Sequence, residues 1–160
     1  MSFVETKTNT MRYLRFSFVL SIPLFLLSCD DDDNQTSSAN CSTVCEYILE
    51  AGQEPGSVPA SLHGVLNLTL DFATPQSPFP QGTPATFTVS ETEMTVEIEG
   101  EECITLRNPF RIPGTSEDNF VDNCRDDYVF GISADQNGNL NEINLGSIAG
   151  SGFQFLGQFK

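Results

Sequence analysis

From Gly64 onward the chain repeats one pattern: apolar and polar residues alternate over short runs, and each run ends at glycine, proline, asparagine or a cluster of charge. Successive residues of an extended chain point to opposite faces, so these runs predict half-buried strands. In Gly64 to Phe72, Leu66, Leu68, Leu70 and Phe72 alternate with Asn67, Thr69 and Asp71. Similar runs cover 85–90, with Phe87 and Val89 inward, and 94–99, with Met94, Val96 and Ile98 inward. Further runs cover 103–107, 128–134, 140–145 and 153–159. In the last, Phe153, Phe155 and Phe159 share one face by period two, and Gly157 predicts a close approach of another backbone or a bend. Asn137-Gly138 reads as a hairpin turn, because both residues tolerate positive φ. The proline-rich stretch from Pro75 to Pro84 cannot join a ladder. The strands follow one another too closely for crossover helices, which argues against a parallel sheet. Segment 108–127 is a long excursion whose Phe110, Ile112, Phe120 and Val121 predict that it packs onto the domain.

Ahead of the strands, residues 43–51 carry a helical signature. Thr43 and Glu46 are spaced as a capping box, Val44, Tyr47, Ile48 and Ala51 make one apolar stripe, and Gly52 follows as a stop. The expected fold class is therefore mainly β: a small antiparallel β-barrel or β-sandwich of about seven strands with one short N-terminal helix. Cys41, Cys45, Cys103 and Cys124 are an even set in this part of the chain. In an exported protein they predict two disulfides, with Cys45 joined to Cys103 or Cys124 rather than to Cys41. The spacing Cys41-x-x-x-Cys45, with no second close pair, does not favour zinc.

The N-terminal region is of a different kind. Arg12 and Arg15 precede an apolar run from Phe16 to Leu27, which ends in Leu26-Leu27-Ser28-Cys29, and Asp30 to Asp33 follow at once. The run is about a dozen residues, against roughly 20 for a membrane-spanning helix. A basic start, a short apolar core and a small residue before the cut describe a signal peptide. Leu26-Leu27-Ser28-Cys29 resembles the lipobox of bacterial lipoproteins. The resemblance covers about residues 11–33 and implies that Cys29 is lipidated and becomes the first residue of the mature chain. Several acyl chains together make such a tether effectively permanent. The domain organisation expected is a signal peptide over 1–28 (with Met11 as an alternative start), a lipidated acidic and polar tether over 29–42, and one β domain over 43–160. The acidic run behind the cysteine resembles the export signal of surface lipoproteins, which implies the outer membrane and cell surface of a Gram-negative bacterium.

Charge narrows the partners. Loss of residues 1–28 leaves Arg107, Arg111, Arg125 and Lys160 against 21 of the 22 acidic residues, a net charge of −17. Such a surface repels phosphate backbones, so no nucleic acid is expected, and cations or basic surfaces are the electrostatic match. His63 is the only histidine, and it stands without a nucleophile motif. The run from Asp135 to Glu142 departs from the EF-hand spacing and reads as a turn. Asp118, Asp122 and Asp126 are the calcium candidates in an oxygen-rich loop, but such acidic loops are more often simply solvated, and no metal is expected. Glu97 and Glu99 share a strand face, but a single outer face makes no cleft. The expected function is a non-enzymatic, membrane-anchored surface lipoprotein. It would display a small β domain that binds a protein partner or serves as an accessory subunit, without a cofactor. Two alternatives stand beside it: a lipocalin-like barrel with an apolar ligand cavity lined by Phe72, Phe87, Phe130, Phe153 and Phe155, and a small carboxylate-dependent hydrolase.

Overall fold

The structure, a computed structural model, describes residues 41–149 and 152–160, all within one structural unit. The signal peptide, Cys29 and most of the tether lie outside the described residues. Eleven strands form one sheet: β1 (Thr43–Glu46), β2 (Glu54–Pro55), β3 (Gly64–Ala73), β4 (Pro84–Val89), β5 (Glu93–Ile98), β6 (Ile104–Arg107), β7 (Phe110–Arg111), β8 (Asp118–Asp122), β9 (Tyr128–Ala134), β10 (Leu140–Ala149) and β11 (Gly152–Phe159). Their order across the sheet is β1-β6-β5-β4-β3-β11-β10-β9-β8-β7-β2. The edge strands β1 and β2 do not pair, so the sheet is open. This corrects the expectation of a seven-stranded closed barrel or two-sheet sandwich; the alternation revealed seven of the strands and missed β1, β2, β7 and β8.

β3 is the pivot. Its Gly64–Thr69 segment pairs with β4, and Leu70–Ala73 pairs with β11. The two halves of the sheet fold toward each other about this strand and enclose one core. Phe87 of β4 meets Phe159 of β11 with ring centroids 5.1 Å apart and Phe130 of β9 at 6.0 Å. Met94, Leu106, Ile132, Ile143 and Leu145 complete a fully buried centre. At about 25 cal/mol per Å² of apolar surface removed from water, such side chains contribute about 1.5–3 kcal/mol each.

The N-terminal helix expected over 43–51 is not formed. Thr43–Glu46 is an edge strand and runs parallel to β6, pairing Thr43 with Ile104 and Glu46 with Arg107. The Tyr47 amide continues the ladder by donating to the Arg107 carbonyl at 3.2 Å. A nine-residue helix is marginal on its own, and Cys45 is needed elsewhere. Cys41 is bonded to Cys103, and Cys45 to Cys124. The first bridge joins β1 to the approach of β6, and the second reaches across to the loop after β8. β8 also packs against β6 and β1. The spread of Val44, Tyr47, Ile48 and Ala51 confirms the change: Tyr47 is buried while Ile48 is 83% exposed, as no shared helical stripe allows.

Two bulges decide which aromatic residues face the core. Leu70 pairs with Phe159, but Phe72 pairs with Gln158, so Asp71 is an extra residue in β3. The Gln81 side-chain amide donates to its carbonyl at 2.7 Å. Between β10 and β11, Leu145 pairs with Gly157 and Gly146 with Phe155, which leaves Leu156 extra. One inserted residue turns the following side chains to the opposite face. Phe159 and Leu70 thus remain inside, whereas Phe72, Phe153 and Phe155 stand on the outer face.

Candidate functional site

That outer face is built from the β3–β11–β10 bulges and two glycines. Phe72 and Phe155 stack with ring centroids 6.1 Å apart and 17° between their planes. They are 48% and 37% exposed, and Phe153, two residues along β11, is 59% exposed. The Phe153 ring lies where a side chain at position 146 would be, so Gly146 is what lets it settle on the sheet. Gly131 does the same for Glu117, whose carboxylate occupies the space above it. Asn144 donates to Glu117 Oε1 at 2.6 Å, and Gln158 donates to Asn144 at 3.4 Å. A row of polar side chains therefore runs beside the aromatic strip.

The strip leads into an open groove of about 620 Å³. Phe110, Ile112, Val129, Ile148 and Phe153 supply its apolar surface, and Glu50, Gln53, Glu117 and Asn119 its polar rim. The far wall is the loop after β1. Tyr47 packs on Phe110 with centroids 5.3 Å apart, and Gln53 ties the loop by donating to the Tyr47 hydroxyl at 3.1 Å. Gly52 takes φ 92° there, which a glycine accommodates without strain.

The interior is filled. Beside Phe79, Tyr128 and Phe130 the packing leaves a space of only about 10 Å³. Of the five phenylalanines expected to line a ligand cavity, Phe87 and Phe130 are packed into the core, and Phe72, Phe153 and Phe155 face away from it.

Nor does the structure bring the calcium candidates together. Asp118 and Asp122 sit at opposite ends of the inner face of β8, on either side of Phe120. Asp118 accepts from Arg111 Nη2 at 2.7 Å and from the Ser57 amide at 3.0 Å. Asp122, fully buried, accepts from Arg125 Nη2 at 3.1 Å and from the amides of Cys124 and Arg125. Asp126 is exposed. Each buried carboxylate is thus satisfied by an arginine and backbone donors, and no group of three or more metal-ligating side chains is found among the described residues. Buried charges are kept when paired in this way. The two pairs close the ends of the core where β8 leaves it.

The other singled-out residues have structural settings. His63 Nε2 donates to the Val58 carbonyl at 2.9 Å and fastens the short 3-10 turn Ala60–Leu62. The Asp135 carboxylate accepts from the Asn137 and Asn139 amides, with Gly138 at φ 83°, which makes the segment a hairpin turn. The backbone hydrogen bond from Asn139 is the main reason that the Asp135 pKa is lowered from its ordinary value. Glu97, Glu99 and Glu101 border a second open groove of about 520 Å³ on the other half of the sheet. They do not converge with a histidine, a metal group or a basic residue there. Among the described residues, no helix is long and apolar enough to cross a membrane. Comparison with protein families, curated proteins and solved structures finds no match.

Proposed function

We propose that this chain is a lipoprotein, anchored in the outer membrane through Cys29 and displayed at the cell surface, whose β domain works by binding a partner on its outer face. The observation that supports binding is the aromatic strip of Phe72, Phe153 and Phe155. Two bulges hold it out in solvent while the core beneath is already filled. Contiguous exposed apolar surface on a strongly charged protein is the usual mark of an interaction site. The anchor reading is supported by Leu26-Leu27-Ser28-Cys29 and the acidic run behind it. Two disulfides in the domain fit an oxidising compartment.

Mass spectrometry of the mature chain tests the anchor. The expected N-terminus is an acylated Cys29, and Cys29→Ser is expected to release the protein from the membrane fraction. An unmodified N-terminus at any other residue refutes the anchor. Digestion of intact cells by added protease tests the face: the domain is expected to be cut without breaking the outer membrane, and protection until lysis places it in the periplasm.

A further inference from the structure

All four basic residues of the described domain are engaged. Arg107 pairs with Glu46 and Glu93, Arg111 with Asp118, Arg125 with Asp122, and Lys160 with Glu142. Five of the seventeen carboxylates from Glu46 to Glu142 are thereby paired, and twelve have no basic partner among the described residues. Two of these twelve, Glu50 and Glu117, stand on the rim of the apolar groove, whose lining contains no basic residue. Glu117 is held in place by Asn144 and not by a cation.

We propose that the outer face of the β10–β11 hairpin docks a cationic protein segment in which lysine or arginine side chains alternate with apolar ones. It runs from the groove rimmed by Glu50 and Glu117, across Phe153 and Phe155, to Phe72. This deepens the binding reading above and names its site and partner chemistry. Apolar side chains of the segment fill the groove beside Ile148 and Phe153, and its cations meet the two rim carboxylates. The groove volume of about 620 Å³ lies in the range of pockets that hold small organic ligands, room enough for apolar side chains. Charge complementarity selects this occupant over two others. A second copy of the chain, docked about a two-fold axis, would bring Glu50 and Glu117 against carboxylates of the same patch, and like charges in an interface are costly. An anionic membrane surface is repelled by the same rim.

The test uses the full chain carrying Cys29→Ser, so it does not depend on whether the cysteine is lipidated. The probe is a short fluorescent peptide of alternating lysine and leucine, with lysine–serine and glutamate–leucine peptides as controls. The lysine–leucine peptide is expected to bind and to shift the NMR signals of Phe72, Ile148, Phe153 and Phe155. Phe153→Ser and Glu50→Lys, both at exposed positions, are each expected to weaken it by at least about tenfold, whereas Glu97→Lys on the other half of the sheet leaves it within about twofold. Ile148→Ser replaces Phe153→Ser if thermal melting shows that the latter is unfolded. The proposal is overturned if the lysine–serine peptide binds as tightly as lysine–leucine, or if Glu97→Lys weakens binding as much as Glu50→Lys. Either result means diffuse charge attraction. It is also overturned if the patch signals shift with protein concentration alone, which assigns the face to a second copy. Binding to anionic phosphatidylglycerol vesicles that Phe153→Ser abolishes assigns it to a membrane and overturns the proposal as well. Loss of the anchor with intact peptide binding refutes only the lipoprotein reading.

Discussion

Phe155 and Phe159 are four residues apart in a strand whose pattern places them on one face, yet they have different environments. Phe159 is fully buried against Phe87, and Phe155 is 37% exposed. Phe159→Ala is therefore expected to cost about 3–5 kcal/mol, as for other fully buried phenylalanines. Phe155→Ala, which loses one stacking contact and partial burial, is expected to cost about 1 kcal/mol. Urea denaturation of the two variants checks the difference, and equal costs would contradict the bulge at Leu156. At Gly157, a Cβ would meet the Phe72 carbonyl and Leu70, so of the two readings its position offered, a close approach or a bend, the close approach is present. Asp135 carries a pH effect of known sign. Its pKa is lowered in the fold, so the turn is stabilised above its ordinary value of 3.8 and loosens as pH falls through the lowered one. Carboxyl NMR titration is expected to give a lower midpoint for Asp135 in the native than in the unfolded protein, and equal midpoints would remove the turn as the cause.

β1 shows how a local signal loses to long-range constraints. Its capping-box spacing is real, but one short amphipathic turn competes with four residues of parallel pairing to β6 and with two bridges. Cys41–Cys103 and Cys45–Cys124 span 62 and 79 residues, and in the chain-entropy model a single loop of either length contributes about 4 kcal/mol. Cys45–Cys124 also joins β1 to the far half of the sheet. Replacing both of its cysteines by alanine is expected to lower the thermal midpoint by 10 °C or more, on the order of 5 °C per kcal/mol for a domain of this size. An unchanged midpoint would mean that β1 and β8 are held by packing alone. β7 and β8 went unseen in the long excursion for a different reason. β8 is buried on both faces, by the main core and by the cluster of Tyr47, Phe110, Val121 and Val129, so it has no alternation to detect. Its Asp118 and Asp122 read as loop carboxylates until their arginines are seen.

Twelve carboxylates without an ion-pair partner among the described residues, on a domain with four paired bases, set the behaviour of the protein as a body. Self-repulsion of this kind opposes the folded state and is screened within about 10 Å at 0.1 M salt. The melting temperature is expected to rise by several degrees between 0.01 M and 0.2 M sodium chloride, measured by circular dichroism. A fall would show that the four ion pairs outweigh the repulsion.

The alternation of apolar and polar residues was enough to determine a β protein with seven of its strands. The even cysteine count was enough to call for two bridges, with Cys45 reaching a distant partner. The acidic balance was enough to show a strongly negative domain. These properties are local or additive, so a linear reading reaches them. The open eleven-stranded order, the conversion of residues 43–46 from helix to parallel strand, and the outward turn of Phe72, Phe153 and Phe155 were decided only in three dimensions. Each depends on register: where β3 changes partner from β4 to β11, and where Asp71 and Leu156 are left over. A one-residue slip in pairing leaves the sequence pattern unchanged but moves every later side chain to the other face of the sheet.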